Sequence, residues 1–350
     1  MSRYGPGCNA ADYVPVILVI WSVAGAMIAS FLWGICSLVG ALSLLGYASI
    51  LILRKLTFSP QDLRAKYRAQ WAIVTGGSSG IGKAIARSLA SQGINIIVAA
   101  LEDQVLSDTV AELSAEFPGC QIVPCGVNLG DSSGAYMDHI SRVCQDKLVS
   151  IVVNNAGYIT MGHFADVDLS SHLKNMECNS IAAMRITHLF LNKMLDRNTK
   201  GLIVFTSSSA SFFPTPISSV YGSSKCFLTE FGASIAAEVY DRNIDVLVVN
   251  PSPINSRFYA KASHVSAVKF FQSTAAGPEV IADAVLRGAG RLTVWDQGYF
   301  SILVRFLLKV LDWNVLTEII TRMAQTNADH LTLRKSRPLN FYSSEALPAH

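Results

Sequence analysis

The chain has 350 residues, with 28 Lys and Arg against 25 Asp and Glu, a formal net charge of +3. Hydrophobic residues make up 51% and charged residues only 15%, against about 25% in an ordinary soluble domain. A mean hydropathy of +0.36 excludes a disordered chain, and the small net charge speaks against a nucleic-acid partner, which needs a basic surface to neutralise phosphates.

The apolar excess is concentrated at the start. Between Asp12 and Arg54 lie 41 residues without an Asp, Glu, Lys, Arg or His. A membrane helix needs about 20 apolar residues, so this run fits one long tilted helix or a hairpin of two short ones. A secretory signal fits poorly, because its apolar core spans only about 7–15 residues. Residues 1–53 are therefore expected to form a membrane anchor of one or two helices. Arg54, Lys55, Arg64, Lys66 and Arg68 follow it against a single acid, Asp62, so the large downstream region is expected on the cytosolic side. Residues 54–70 read as a basic connector. The seven cysteines form no C-x-x-C pair and no zinc-ligand cluster, so they are expected to be reduced, and no metal site is expected.

From Trp71 onward, short β-rich runs alternate with helical patterns. Strands are expected at Trp71–Thr75, Ile94–Ala99, Gln121–Cys125, Ser150–Val153, Gly201–Thr206 and Asp245–Val249, with helices to about Ser91, over Ser170–Leu195 and over Val220–Tyr240. Strands separated by helices imply a doubly wound parallel sheet of Rossmann type, an α/β fold. Its domain is expected over residues 71–297, and 298–350 reads as a helical extension with a polar tail.

Chemistry-bearing residues sit at the ends of these strands. The first runs into Thr75-Gly76-Gly77-Ser78-Ser79-Gly80-Ile81-Gly82, where glycines let the backbone approach a pyrophosphate at a helix N-terminus. Asn154-Asn155-Ala156-Gly157 ends the fourth strand and Ser207-Ser208-Ser209 the fifth, on the rim where open α/β sheets bind ligands. Tyr221 and Lys225 are four apart on a helix, hence on one face. An ammonium beside a phenol favours the phenolate, which suits proton exchange with a carbonyl or carbinol.

These motifs, in this order, resemble the short-chain dehydrogenase/reductase family over about residues 70–260. The thirteen-residue spacing to Tyr221 selects Ser208 from the serine run. The resemblance implies that Tyr221 donates or accepts the proton, Ser208 binds the substrate oxygen, Lys225 binds the nicotinamide ribose and lowers the Tyr221 pKa, and Asn179 holds a relay water. It places the coenzyme against Thr75, Gly76, Ser78, Ser79, Gly80, Ile81, Gly82, Leu101, Val127, Asn155, Ala156, Gly157, Tyr221, Lys225, Pro251, Ile254 and Ser256.

Shorter motifs resemble the membrane-anchored very-long-chain 3-oxoacyl-CoA reductase and 17β-hydroxysteroid dehydrogenase branch: Pro214–Ile217, Phe258–Lys261, Gly277–Glu279, Gly298-Tyr299 and Ala328–His330. That resemblance implies the endoplasmic reticulum and reduction of a hydrophobic ketone. A specialised pathway acting on a terpenoid or polyketide, and a non-catalytic membrane scaffold, are the alternatives. Many family members form homo-oligomers through two core helices, which the resemblance extends to this chain.

Four positions depart from the family pattern. Leu101 stands where the branch has an Arg for the NADP 2′-phosphate, Gly126 where an Asp contacts adenine, Ser252 where a Gly follows Pro251, and Ser256 where a Thr is usual. Ala100 lacks the acid that NAD users carry at the end of the second strand, so NADP(H) is favoured, with NAD(H) open. Phe258, Tyr259, Phe270 and Phe271 fall in the family's substrate loop, where aromatic side chains serve core packing or a lipid pocket.

Overall fold

The computed structural model describes residues 14–256, 258, 272–273, 275–326 and 328–333. The chain divides into two units. One comprises Met1–Thr57 with Phe306–Val310, the other Phe58–Arg305 with Leu311–His350.

The first unit is dominated by a continuous helix, α1, Val14–Thr57. The hairpin alternative is thereby excluded. Its stretch Trp21–Thr57 is long and apolar enough to cross a membrane, and none of it is buried in the protein. At 1.5 Å per residue, these 37 residues extend about 55 Å, well beyond the ~30 Å hydrocarbon core. Gly34 and Gly40 do not break the helix, in keeping with the tolerance of glycine in apolar helices.

The second unit is built on seven parallel strands: β1 Trp71–Thr75, β2 Asn95–Ala100, β3 Ile122–Gly126, β4 Val149–Asn154, β5 Gly201–Thr206, β6 Ile244–Pro251 and β7 Val294–Gln297. Their order is β3-β2-β1-β4-β5-β6-β7. The expected doubly wound α/β sheet is present, with a seventh strand that its short, mixed sequence did not signal. Pro124 lies in β3, an edge strand, where a missing N–H costs no ladder bond on the open side.

Successive side chains of the strands feed two cores. Ala72, Val74, Ile96 and Val98 face α3 (Gly80–Ala90), α4 (Gln104–Glu116) and a later helix, α9 (Glu279–Gly288). Ile73, Ile97 and Ala99 face α5 (Tyr136–Val143), α7 (Ala182–Asp196) and α8 (Ser219–Glu238). Burial on both faces is why the strands read as unbroken apolar runs rather than alternating ones.

Residues 58–69 belong to this core. Leu63 and Tyr67, in the short helix α2 (Leu63–Tyr67), are buried in the first cluster. The Tyr67 hydroxyl donates to Asp245 Oδ2 at 2.7 Å, and Gln61 Nε2 donates to the Ala289 carbonyl at 3.0 Å.

The helix expected over Ser170–Leu195 is interrupted. α6 (Leu169–Met176) opens into a π-helical turn, Glu177–Ile181, before α7 continues. Such turns widen the helix by one residue and are found mostly at functional sites. C-terminal to the sheet, α10 (Tyr299–Leu307), α11 (Trp313–Ala324) and α12 (Ala328–Leu333) form the helical extension.

Candidate active site

β1 and β4 are adjacent in the sheet, but their crossovers run in opposite directions from β1. Their C-terminal ends therefore border the crevice where such sheets bind ligands. Thr75 fastens the two ends together. Its Oγ1 accepts from the Asn155 and Ala156 backbone N–H groups at 2.9 and 3.0 Å and donates to the Val153 carbonyl at 3.2 Å.

A cavity of about 1200 Å³ opens from this crevice. It brings together Gly76, Ser78, Ser79, Gly80, Ile81, Leu101, Val127, Asn155, Ala156, Gly157, Ser208, Tyr221, Lys225, Pro251, Ile254 and Ser256 on one wall system. Thr75, Gly82 and Asn179 lie behind that wall and act on it through others.

The glycine loop fits a diphosphate by its shape. Gly76 and Gly80 sit at φ +62° and +52°, where a side chain would strain the backbone. A Cβ on Gly82 would lie 2.3 Å from the Gly76 carbonyl oxygen, so only glycine lets α3 begin this close to the loop. The first turn of α3 then presents unpaired N–H groups and the positive end of its dipole to the cavity. Ser256 closes on the same loop, its Cβ 3.0 Å from where a Gly80 side chain would start.

Asn179, in the π turn, clamps the chain that follows Gly157. Its Oδ1 accepts from the Tyr158 N–H at 3.0 Å, and its Nδ2 donates to the Tyr158 carbonyl at 3.0 Å and to Ser224 Oγ at 3.1 Å. It thereby ties the end of β4 to α8, the helix bearing Tyr221 and Lys225.

Lys225 is 3% exposed, and its Nζ donates to the Thr206 carbonyl at 2.8 Å. Burial disfavours the ammonium and brings its pKa down to about 8. Nζ lies 5.9 Å from the centre of the Tyr221 ring. Ser207 lines the cavity beside Ser208, and its hydroxyl donates to the Lys225 carbonyl at 2.7 Å. It ties the end of β5 to α8. Ser208 Oγ caps the short turn after it, accepting from the Ala210 N–H at 3.1 Å.

Beyond Tyr221 the wall turns apolar. Phe213, Ile217, Phe258, Phe300, Ile320 and Met323 line it. Phe258 packs against Tyr221 with ring centres 5.5 Å apart, while Tyr259, Phe270 and Phe271 lie outside the described residues. Ile217 is held at φ +60°, an outlier for a β-branched residue, and its carbonyl accepts from the Gly162 N–H at 2.7 Å. Sequence reasoning missed Phe213, Phe300 and the wall residues of α11. They come from distant segments, and no motif marks them. Cys178, a neighbour of Asn179, also lines the cavity, and burial lifts its thiol to about 11.

Ser252 has a structural use. Its Oγ accepts from the Ser301 N–H at 3.0 Å at the start of α10, and a Cβ on Gly298 would lie 2.6 Å from it. The extra hydroxyl seats the C-terminal extension on the end of β6.

A doubly wound parallel sheet, a glycine cradle at the first helix and a Tyr–Lys face at the opposite end of one cavity define a nicotinamide-dinucleotide oxidoreductase. The chain belongs to the short chain dehydrogenase family, whose sequence pattern it matches over residues 70–266. It is 31% identical to a short chain dehydrogenase of Pseudocercospora fijiensis over 58% of this chain and 65% of that protein, just under two thirds of its length. It is 30% identical to a very-long-chain 3-oxoacyl-CoA reductase of Anas platyrhynchos, covering 63% and 69% of the two chains. To the 17-beta-hydroxysteroid dehydrogenase type 3 of Mus musculus it is 31% identical, covering 53% and 61%. Among solved structures, a 7beta-hydroxysteroid dehydrogenase superposes with a TM-score of 0.66 at 17% identity, over 75% of this chain and 98% of that one, a likeness of fold.

Proposed function

We propose that the protein is a membrane-anchored reductase of a ketone on a hydrophobic, lipid-like substrate of the 3-oxoacyl-CoA or steroid class. The observation that carries this reading is the position of Tyr221. It lines one cavity with the glycine loop and with Phe213, Ile217, Phe300, Ile320 and Met323, and Phe258 packs on its ring with centres 5.5 Å apart.

The bound nicotinamide dinucleotide supplies or accepts a hydride. The residues of this chain do the rest. Ser208 holds the substrate oxygen by a hydrogen bond. Tyr221 delivers a proton to that oxygen during reduction and removes it during oxidation. Lys225, with its ammonium buried under the ring, favours the phenolate left after proton delivery. Asn179 holds the Gly157–Tyr158 backbone and α8 in register and lies where a relay water would reach Lys225: a Cβ on Gly157 would lie 3.1 Å from Asn179 Oδ1 and 3.3 Å from Lys225 Nζ. NADP(H) and NAD(H) fit the same loop and nicotinamide end and differ only at the adenosine ribose.

The names of the relatives support the substrate class, and α1 supports the anchor. An anchored enzyme meets lipid substrates by diffusion in the membrane plane, with the catalytic unit on the cytosolic face of the endoplasmic reticulum. The scaffold alternative loses ground to the intact Tyr221–Lys225 pair.

The test is turnover by detergent-solubilised protein of 3-oxoacyl-CoA and steroid ketones, followed by nicotinamide absorbance. The wild type should reduce one class, and Tyr221→Phe should lower kcat by about 10²–10⁴-fold while dinucleotide binding persists. Unchanged turnover in Tyr221→Phe would refute the assignment.

A further inference from the structure

On the membrane-anchored reductase reading above, we propose that the outward faces of α10 and α11 lie in the membrane interface. α11 then forms the membrane-side lip of the cavity, and a hydrophobic ketone enters from the bilayer rather than from water. The partner of this surface is the lipid bilayer.

α10 is turned inside out for a helix in water. Its one charged residue, Arg305, turns to the buried Asp296, and Ser301 is wholly buried, while Tyr299 and Leu303 are exposed. A surface helix of a soluble domain has the opposite arrangement, with charge outward and apolar side chains toward the core. Phe300, the neighbour of Tyr299, lines the cavity and packs on Phe213 with ring centres 6.4 Å apart.

α11 carries three faces in order. Ile320 and Ala324 line the cavity. Next to them Val315, Ile319 and Met323 recur every fourth residue as an exposed stripe, with Trp313 exposed at the first position of the helix. Beyond that stripe Glu318 and Arg322 pair across one turn at 3.5 Å. Met323 is 64% exposed and also lines the cavity, so the outer stripe and the cavity wall meet at its side chain. An apolar stripe with a Trp at one end and a charged row on the far side is the make-up of a helix lying in the interface. At 1.5 Å per residue the 9 residues of α10 and the 12 of α11 extend about 14 and 18 Å, too short to cross the ~30 Å core.

The chain between the two helices points to the bilayer as the surface that covers them. Phe306–Val310 belongs to the unit of α1, where Phe306 packs on Tyr47 with ring centres 4.9 Å apart. Tyr47 stands seven residues before Arg54, about 10 Å along the helix, still inside the apolar run and close to the flanking cations. Trp313 follows Val310 by three residues, a reach of about 11 Å at most. α11 therefore starts within that reach of a segment packed on a helix long and apolar enough to cross a bilayer.

The experiment places the full-length protein in phosphatidylcholine nanodiscs, plain or brominated on the upper part of the acyl chain. Tryptophan fluorescence of the wild type minus that of Trp313→Phe gives the Trp313 signal. Bromine should lower that signal by about twofold, because an interfacial helix sits about 5–10 Å into the headgroup–acyl boundary. Val315→Glu with Ile319→Glu, both off the cavity wall, should raise KM for a ketone dissolved in the bilayer by about tenfold. The same double variant should leave kcat for a short water-soluble ketone unchanged. A Trp313 signal untouched by bromine would overturn the proposal. So would a dimer that the double variant converts to a monomer, which would assign the stripe to a second copy of the chain. A quenched Trp313 with KM unchanged in the double variant would overturn the role of α11 as the entrance. Quenching without reduction of any ketone by the wild type would refute the reductase reading, and the entrance with it, and uphold the membrane contact.

Discussion

Arg305 holds Asp296 with two hydrogen bonds, Nε to Oδ2 at 3.0 Å and Nη2 to Oδ1 at 3.2 Å. Asp296, 5% exposed at the end of β7, also accepts from Asn250 Nδ2 at 3.0 Å. The guanidinium lies 3.9 Å from the centre of the Phe212 ring, beside the cavity wall at Phe213. One side chain thus joins α10, the end of the sheet and the turn that follows Ser208.

Removing Arg305 leaves a buried carboxylate without its cation. Breaking such a pair costs about 3–5 kcal/mol when it is fully buried, and the partial exposure of Arg305 brings this to about 2–3 kcal/mol for Arg305→Met. Urea unfolding should show that loss, and adding Asp296→Asn should restore at least half of it. A full loss in the double variant would mean that the contact with Phe212, not the ion pair, carries the effect.

Lys225 makes stability depend on pH in a definite direction. Its pKa falls from 10.5 in the unfolded chain to about 8 in the folded one. Below pH 8 the ammonium is charged in both states, and its burial costs in full. Between pH 8 and 10.5 the folded chain has released the proton and the unfolded chain has kept it, so unfolding takes up a proton and stability rises with pH. Relative to Lys225→Met, the wild type should gain about 1–3 kcal/mol between pH 7.5 and 10 in urea unfolding. Parallel pH profiles for the two proteins would contradict this. Lys225→Met should nonetheless be inactive, because it removes the charge under Tyr221.

Asn179 is a positioning residue, placed behind the cavity wall. Asn179→Ala leaves the Tyr158 N–H without its side-chain acceptor, while the Tyr158 carbonyl keeps the Asn175 amide at 2.8 Å, at a cost of about 1–3 kcal/mol. Turnover should fall through kcat with little change in dinucleotide affinity. A change confined to stability, with kcat intact, would make the clamp purely structural.

Leu63 tests whether the residues after α1 are a tether or part of the core. It is wholly buried, in the core cluster that also takes in side chains of α3 and α9. Leu63→Ala should cost about 2–5 kcal/mol in thermal or urea unfolding, as a core truncation does. A loss below about 0.5 kcal/mol would return this segment to a linker.

The parallel sheet was legible because strands buried on both faces must be apolar throughout, and Ile-Ile-Val-Ala-Ala and Ile-Val-Val meet that demand. Tyr221 and Lys225 were legible because helical periodicity puts residues four apart on one face. β7 was not, since Val-Trp-Asp-Gln carries no period of its own and becomes a strand only by pairing with β6. The π turn was hidden for a similar reason. Its extra residue serves the distant partners of Asn179, not the local helix pattern.

By itself the sequence determined the apolar N-terminal run, the alternating α/β order, the glycine-rich turn and the shared helix face of Tyr221 and Lys225, because each depends on residues close together in the chain. Tertiary structure decided that α1 is one helix, that residues 58–69 join the core, and that Phe213, Phe258, Phe300 and Ile320 share one apolar wall. It also set the Glu102 side chain where a Cβ on Gly126 would meet it, 2.9 Å from the Glu102 Cβ. Those relations join segments dozens to hundreds of residues apart, and only the packing of the folded chain brings them within van der Waals reach.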